Sequence, residues 1–170
     1  MRPAIKYISE TYKDPLIGAE VGVFRAQNAL NILQNLPQVK KLYLIDPYTP
    51  FWVYTKSWLN HLPAAKDTAI RNLEPINPDR YTWIYEPFKA DLIPEPLDFI
   101  YIDGCHSYES VKHDINEAEK IVKIGGVISG HDYYPEGTHT ERFGIGRAVR
   151  EHYTSFQNIE TDWWVINKLK

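Results

Sequence analysis

The chain has 170 residues, of which 44% are hydrophobic and 24% are charged, a size and composition that fit one globular domain with a substantial core. Its net charge is −3 and it has no long basic run, which argues against a nucleic-acid-binding surface as its main purpose. Cys105 is the only cysteine, which excludes an internal disulfide and a zinc site built from several cysteines.

Strand and helix candidates alternate along the first half of the chain. Apolar runs that end in a polar residue or a proline predict three strands, at 16–23, 41–46 and 81–86. Two segments with helical spacing of apolar residues lie between them, 26–36 and the aromatic-rich 51–74. This half of the sequence therefore predicts a β-α-β-α-β order.

The second half repeats the alternation and then ends in a pair of strands. Ser107 is the candidate N-cap of a helix that Gly125-Gly126 closes, and a looser helical pattern covers 141–153. Strand candidates are 97–103 and 126–132, followed by 156–161 and 162–167, which sit close together like an antiparallel pair.

Alternation of this kind predicts one α/β domain over 1–170, with a mostly parallel sheet and helices on both faces. Ligands of such sheets bind beyond the carboxyl ends of the strands. Four of the five central strand candidates carry an acid near that edge, namely Glu20, Asp46, Asp103 and Asp132. A cofactor site at this edge of the sheet is therefore expected.

The first two of these acids point to nucleotide binding. Gly22, just after Glu20, permits a positive φ and lets a ligand approach the backbone, and the helix that follows favours a negative group at its N-terminus. Asp46 follows the glycine turn at about the spacing at which an acid commonly binds ribose hydroxyls. The alternatives are an ordinary tight turn at Gly22 and a turn-forming aspartate before Pro47; together, the residues favour ribose binding.

The other two acids would converge if strands 97–103 and 126–132 are neighbours, because adjacent strand ends lie about 5 Å apart. His106 and His131 would then lie close to Asp103 and Asp132. Two carboxylates and two imidazoles at one edge predict either a metal site or an acid–base site. The structural alternatives are that Asp103 caps its loop through backbone N–H groups and that His131 is a satisfied, half-buried histidine.

Four segments carry a resemblance to a known family: "GAEVGVFRAQNAL", "LYLIDPY", "LDFIYIDGCHSYESVKHDI" and "KIGGVISGHDY". In combination they resemble the small class I S-adenosylmethionine-dependent methyltransferases, in the group that includes macrocin O-methyltransferase-like and cephalosporin-hydroxylase-like proteins. The resemblance runs from about residue 16 to 135, and Ala26 departs from it where a glycine often stands. It implies a Rossmann-like, doubly wound, mostly parallel seven-stranded sheet with an antiparallel last strand.

The resemblance also implies roles for residues along the cofactor. Glu20 and Gly22 would lie along its methionine part, and Asp46 would bind its ribose. Glu86 or Phe88 would border the adenine.

At the reacting end, the resemblance implies carboxylate metal ligands at Asp103 and Asp132, with Asp103 also beside the cofactor. An acid often occupies the place of His131 in related enzymes, so the metal and its identity stay open. We expect Mg²⁺ or Mn²⁺ on Asp103, Asp132 and His131; the competing account is metal-free, with His106 as the base. The expected catalytic residues are His106, Asp103 and His131.

The expected activity is O-methylation of a small-molecule or sugar hydroxyl with S-adenosylmethionine as donor. Two rivals stay open, a nicotinamide-dependent oxidoreductase and a non-catalytic Rossmann-like binding domain. The sequence has neither a signal-peptide core nor an apolar run of membrane-spanning length, so a cytoplasmic address with no membrane or nucleic-acid partner is expected. The acceptor is not readable, and a homo-oligomer stays open.

Overall fold

The computed structural model describes residues 1–49, 61–135 and 144–168. The helices in these ranges are α1 (Pro3–Thr11), α2 (Gln27–Asn35), α3 (Leu62–Leu73), α4 (Tyr108–Ile121) and α5 (Ile145–His152). The strands are β1 (Leu16–Val21), β2 (Val39–Ile45), β3 (Tyr81–Ile84), β4 (Leu97–Ile102), β5 (Val122–Gly130), β6 (Gln157–Ile159) and β7 (Asp162–Ile166). None of the helices in these ranges has the length and apolar character needed to span a bilayer.

The strands form one seven-stranded sheet in the order β3-β2-β1-β4-β5-β7-β6. Strands β1 to β5 run parallel, β7 pairs antiparallel with β5, and β6 pairs antiparallel with β7. This confirms the predicted fold. From β1 the chain builds outward through β2 and β3 and then returns to place β4 on the other side of β1, so the order reverses there. The carboxyl ends of β1 and β4 flank the switch point at which sheets of this type bind ligands.

Both faces of the sheet are covered by helices, which explains the apolar strands. Strand β2 shows the alternation, with Leu42 and Leu44 on one face and Tyr43 and Ile45 on the other. The first face packs against α1, α2 and α3, and the second against α4 and α5. Because every second side chain turns to the opposite face, polar side chains at the strand ends can point to different sides of one ligand.

Helix α1 was not predicted. Pro3 opens it, a position where the missing proline N–H costs nothing. Ala4, Ile5 and Ile8 are buried against the first face of the sheet. Their spacing was the available signal, but a nine-residue helix is marginal on propensity alone and forms because its apolar side is buried.

The predicted end of the helix after β4 is wrong. Helix α4 ends at Ile121, and Val122 begins β5 by pairing with Leu97. Gly125 does not close the helix; it lies within β5 at φ +83°, where the pairing register shifts. The buried, β-branched Val122 gains a strand partner there, and sheet pairing overrides its place in the helical pattern.

Other predicted boundaries agree to within a few residues where the structure describes the chain. Of the helix candidate 51–74, the part at 62–73 is helical as α3, whereas 51–60 lies outside the described residues. Of the candidate 141–153, helix α5 accounts for Ile145–His152, and 141–143 lies outside the described residues.

Candidate active site

A cavity of about 600 Å³ opens at the carboxyl edge of the sheet, above the switch point. Its volume lies within the range of small-molecule sites. The loops after β1, β2, β3, β4 and β5 line this cavity together with α4. The lining residues include Gly22, Asp46, Phe88, Gly104, Asp114 and Asp132. The predicted location of the site is therefore matched by a real concavity.

The loop after β1 has the shape of a glycine-rich turn with a single glycine in it. Gly22 has φ +85°, and a Cβ there would lie 2.2 Å from the backbone oxygen of Asp103. Phe24 and Ala26 also have left-handed φ, at 48° and 57°, which costs an ordinary residue about 1 kcal/mol or more. Ala26 thus adopts a left-handed backbone of the kind that glycine adopts without strain, so the departure at this position places strain in the loop.

Asp46 ties two loops together at the end of β2. Its Oδ2 accepts a 2.8 Å hydrogen bond from the Phe24 N–H, and its Oδ1 accepts one of 2.8 Å from the Tyr48 N–H. Burial raises the pKa of Asp46, and these backbone donors oppose the rise. A carboxylate oxygen can accept more than one hydrogen bond, so Asp46 can serve the turn and still accept from a ligand hydroxyl in the cavity.

Glu20 lines the same cavity and has one carboxyl oxygen without a partner among the described residues. The side chain is 2% exposed, and its Oε1 accepts a 2.9 Å hydrogen bond from Asn28 Nδ2 on α2. Its Oε2 is buried and has no partner among the described residues. Burial raises the pKa of Glu20 to about 8. An unpaired buried carboxyl oxygen is expensive, and a donor on a bound ligand would satisfy it.

The predicted meeting of acids and histidines at the ends of β4 and β5 is present. His131 Nδ1 lies 3.1 Å from Asp132 Oδ1 and 3.6 Å from Asp103 Oδ1. His106 Nε2 lies 3.4 Å from Asp132 Oδ2 and 3.9 Å from Asp103 Oδ1. The sheet therefore brings all four groups to one edge of the cavity, where they can hold a cation or move a proton.

The protonation of His131 follows from these neighbours. Burial opposes its charge, but hydrogen bonds to Asp103 and Asp132 outweigh burial and raise the pKa of His131 to about 9. Its other ring nitrogen, Nε2, lies 2.7 Å from Thr161 Oγ1. Burial likewise opposes the charge of Asp132, but the hydrogen bond and charge of His131 hold the pKa of Asp132 below its ordinary value.

The same cluster has the donor set of a cation site. Asp103, His131 and Asp132 each offer one ligand atom, and these atoms lie within 4.8 Å of one another. Two carboxylates and one imidazole suit Mg²⁺ or Mn²⁺ with water completing the shell. Asp132 has φ 55°, a left-handed conformation that aspartate tolerates better than most residues and that often marks functional sites.

Of the two residues expected at the adenine, only one lines the cavity. Phe88 is 3% exposed and belongs to the cavity wall. Glu86 is exposed and lies outside the lining.

Arg2 is a site residue that the sequence analysis missed. Its guanidinium lies 3.3 Å from Asp103 Oδ2, 4.0 Å from Asp162 Oδ1 and 5.8 Å from the centre of the Tyr101 ring. Asp162, 1% exposed, accepts hydrogen bonds from the Tyr101 hydroxyl at 2.7 Å and from the Ala4 N–H at 3.0 Å. The start of α1 is thus anchored on the sheet beside the cavity, through contacts too distant in sequence to leave a local signal.

Comparison with known proteins assigns the fold to a family. A family model described as a methyltransferase domain matches residues 19–133, which is more than half of the chain and includes β1, β4, β5 and the loops around the cavity. The chain belongs to the methyltransferase domain family. The class I architecture expected from the four sequence segments agrees with this assignment.

A curated relative of this chain is longer than the chain itself. An uncharacterised protein of Acanthamoeba polyphaga mimivirus is 31% identical over 125 residues, 71% of this chain and 53% of that protein. The chain therefore spans about half the length of that relative.

Solved structures share the fold at low identity. A putative rRNA methylase from Clostridium thermocellum matches with TM-score 0.66 and 16% identity, over 98% of this chain and 95% of that one. The O-methyltransferase NovP matches with TM-score 0.67 and 14% identity, over 98% and 80%. MycE, a methyltransferase of mycinamycin biosynthesis solved with Mg, S-adenosylhomocysteine and mycinamycin VI, matches with TM-score 0.60 and 12% identity, over 97% and 48%.

The family implies S-adenosylmethionine as the methyl donor, and the residues around the cavity fit that molecule. The unpaired Oε2 of Glu20 suits an ammonium group. The absence of a Cβ at Gly22 allows close approach to the loop. Asp46 retains accepting capacity for ribose hydroxyls in the same cavity.

Proposed function

We propose that this methyltransferase domain methylates a hydroxyl oxygen of a small molecule or sugar, with Asp103, His106, His131 and Asp132 surrounding the acceptor oxygen. The observation that carries the proposal is that each of two imidazoles lies 3.1–3.9 Å from both of two carboxylates beside the cavity. Titratable groups gathered in a cleft with shifted pKa values are typical of acid–base sites.

When bound, S-adenosylmethionine supplies a methyl group on a positively charged sulfur, already activated toward an oxygen nucleophile. The residues of this chain then have two tasks, to align the acceptor with that methyl group and to manage the hydroxyl proton. In this proposal Glu20 binds the amino group of the methionine part, Asp46 binds the ribose, and Phe88 packs along the base.

The proton of the acceptor hydroxyl passes to His106 in this proposal. His106 Nε2 lies 3.4 Å from Asp132 Oδ2 and 3.9 Å from Asp103 Oδ1, and an imidazole positioned in this way can accept a proton from a nucleophile as a general base. His131 is already charged near neutral pH in the metal-free protein, because its pKa is raised to about 9. It is therefore poorly suited to act as the base there, and we assign it to orienting Asp103 and Asp132.

A divalent cation is the alternative to His106 as the group that activates the acceptor hydroxyl. Asp103, Asp132 and His131 would hold Mg²⁺ or Mn²⁺, and a cation on these ligands would lower the pKa of a hydroxyl bound beside it. The donor set and its 4.8 Å spread support this, as does the Mg in the MycE complex. His131 must lose its proton to coordinate.

Calorimetry separates this function from a nicotinamide-dependent oxidoreductase. The wild-type protein is expected to bind S-adenosylhomocysteine and not NAD; binding of NAD alone would remove the methyltransferase proposal. A non-catalytic binding domain would bind S-adenosylmethionine but would not consume it in the presence of any hydroxyl acceptor.

The catalytic assignments are tested by methyl transfer to a panel of sugars and small-molecule alcohols. Asp103→Asn and His106→Gln are expected to lower turnover by about 10²–10⁴-fold, the usual contribution of a positioned base. Asp91→Asn, at an exposed position, is the matched control and should keep full turnover. Full turnover after thorough chelation would exclude the cation, and full turnover of Asp103→Asn would exclude both catalytic accounts.

A further inference from the structure

The second ring nitrogen of His131 has a partner that the proposed function does not use. His131 Nε2 lies 2.7 Å from Thr161 Oγ1, whereas its Nδ1 faces Asp103 and Asp132. Thr161 is half-buried and does not belong to the lining of the cavity. The Thr161 hydroxyl therefore acts on the site through the His131 ring and not by touching a ligand.

Strand register brings Thr161 to His131. Gly130 pairs with Trp163 where β5 lies antiparallel to β7, so the residues that follow Gly130 run beside those that precede Trp163. The Tyr133 N–H extends this pairing by donating a 2.9 Å hydrogen bond to the Thr161 carbonyl oxygen. The sheet thus sets Thr161 against His131, although 30 positions separate them in the sequence.

The turn that carries Thr161 is held in place by its neighbours. Glu160, with a left-handed φ of 54°, and Thr161 connect β6 to β7. The Asn158 side-chain amide donates to the carbonyl oxygens of Glu160 and Asp162, at 3.3 Å and 2.8 Å. The Asp162 carboxylate, 1% exposed, accepts a hydrogen bond from the Tyr101 hydroxyl. A hydroxyl on a turn fixed in this way suits the support of a functional side chain.

The place of the hydrogen on the His131 ring decides what each ring nitrogen can do. An ionised carboxylate only accepts hydrogen bonds, so in the metal-free protein Nδ1 carries a hydrogen toward Asp132. To bind a cation, Nδ1 must offer its lone pair, and the ring hydrogen then lies on Nε2. That hydrogen needs an acceptor, and Thr161 Oγ1 lies within hydrogen-bond distance of Nε2. The contact therefore supports the form of the ring that coordinates a metal ion.

A nitrogen ligand changes which cation the cluster prefers. The carboxylates of Asp103 and Asp132 offer oxygen, which suits both Mg²⁺ and Mn²⁺, whereas an imidazole favours transition-metal ions over Mg²⁺. The ligand atoms of these two residues and His131 lie within 4.8 Å of one another. With His131 held as a ligand, the cluster should bind Mn²⁺ in preference to Mg²⁺.

We propose that Thr161 is a positioning residue: its hydroxyl oxygen accepts the Nε2–H of His131, fixes Nδ1 as a cation ligand and thereby makes the site prefer Mn²⁺ to Mg²⁺. The inference rests on the proposed function in its cation-dependent form. It gives a role at the site to the turn between β6 and β7, which lies outside residues 19–133 matched by the family model.

Calorimetric titration with Mn²⁺ and with Mg²⁺ tests this role. Thr161→Val keeps the shape of the side chain without its hydroxyl. It should lower the Mn²⁺ affinity by about tenfold or more, the usual cost of removing the partner of a metal-bound histidine, with little change for Mg²⁺. Thr161→Ala should behave in the same way, and Thr161→Ser, which keeps the hydroxyl, should retain the wild-type preference. Thr68→Val removes an exposed hydroxyl on α3 and is the matched control, with both affinities unaltered.

Pulsed electron paramagnetic resonance of the Mn²⁺-loaded protein reports the ligand itself, because a nitrogen bound to Mn²⁺ couples to the electron spin. The nitrogen signal should be present in wild type and in Thr161→Ser, weakened in Thr161→Val and absent in His131→Gln. Thermal unfolding without metal checks that each variant is folded.

The inference is overturned if wild type binds Mn²⁺ without a nitrogen signal, if Thr161→Val keeps the wild-type preference, or if that variant loses affinity for both ions equally. Binding of S-adenosylhomocysteine, measured on the same proteins, tests the proposed function separately. A wild-type protein that binds this ligand but not Mn²⁺ would leave methyl transfer with His106 as the base and remove the inference. A wild-type protein that binds neither would remove both.

Discussion

Arg2 and Asp103 are 101 positions apart in the sequence, yet the Arg2 guanidinium lies 3.3 Å from Asp103 Oδ2. The contact joins the start of α1 to the end of β4, at the cluster proposed to hold a cation. The Arg2 side chain is 33% exposed, so the ion pair contributes modestly to stability. Its main effect is electrostatic, because it places a fixed positive charge against a proposed metal ligand.

Arg2→Gln is therefore expected to tighten Mn²⁺ binding. Removing a like charge beside the cation should increase affinity by roughly fivefold, about 1 kcal/mol for a partly exposed pair. Lys6→Gln is the matched control, since it makes the same change of charge on α1 at an exposed side chain and should leave the affinity unaltered. Titration of Mn²⁺ by calorimetry measures both; weaker binding in Arg2→Gln would instead show that Arg2 orients Asp103 for the ion.

The stability of the metal-free protein should depend on His131 above neutral pH. The pKa of His131 is raised from 6.5 to about 9 in the folded state, so the folded protein holds a proton there that the unfolded chain releases. The resulting stability is fully present below about pH 6.5 and is lost as the pH rises through about 9, with a slope of at most about 1.4 kcal/mol per pH unit.

Urea unfolding in chelator at several pH values measures this dependence. His131→Gln should flatten the decline between pH 6.5 and 9, whereas His61→Gln, at an exposed position, should keep it. A decline of equal slope in both variants would assign the effect to another group.

Gly22→Ala should damage the fold as well as ligand binding. A Cβ at Gly22 would lie 2.2 Å from the Asp103 backbone oxygen, and φ is +85°. We expect a loss of at least about 2 kcal/mol, from backbone strain together with the clash. Gly125 has a similar φ of +83° but open space around it, so Gly125→Ala isolates the strain and should cost only about 1 kcal/mol. Equal losses of unfolding free energy would contradict a special role for the Gly22 contact.

The buried hydrogen bond between Tyr101 and Asp162 should show strong coupling. Its 2.7 Å length and the 1% exposure of Asp162 mean that removing one partner leaves the other buried and less well satisfied. Tyr101→Phe and Asp162→Ala should each cost about 1–3 kcal/mol. The double variant should cost less than the sum, by about 1 kcal/mol, in a denaturation cycle. Strict additivity would mean that each residue stabilises the fold through other contacts.

The alternating order of strands and helices could be predicted from the sequence because the spacing of apolar residues within each segment indicates its secondary structure. The apolar runs at 16–23 and 97–103 and the helical stripe of 26–36 each show their own periodicity. The predicted end of α4 was wrong because Val122 fits the apolar stripe of that helix but pairs with Leu97 in the sheet as the first residue of β5.

The cluster of acids and histidines in the candidate site could also be predicted, because the carboxyl ends of parallel strands meet at one edge of the sheet. Asp103 and Asp132 follow neighbouring strands, so their approach to His106 and His131 required only the correct strand order. The distances and the charge of His131 could not be predicted, since both depend on how the side chains pack.

The sequence by itself determined the alternating fold, the edge of the sheet that carries the cavity, and the acids that line it. Only the tertiary structure decided that Arg2 faces Asp103, that Glu20 Oε2 has no partner within the described ranges, and that Asp114 is buried at the cavity wall. The reason is physical: periodicity within a segment reports which face of an element is buried, whereas a contact such as that of Arg2 with Asp103 depends on how distant elements dock. Burial and unsatisfied hydrogen bonds exist only once that docking is complete.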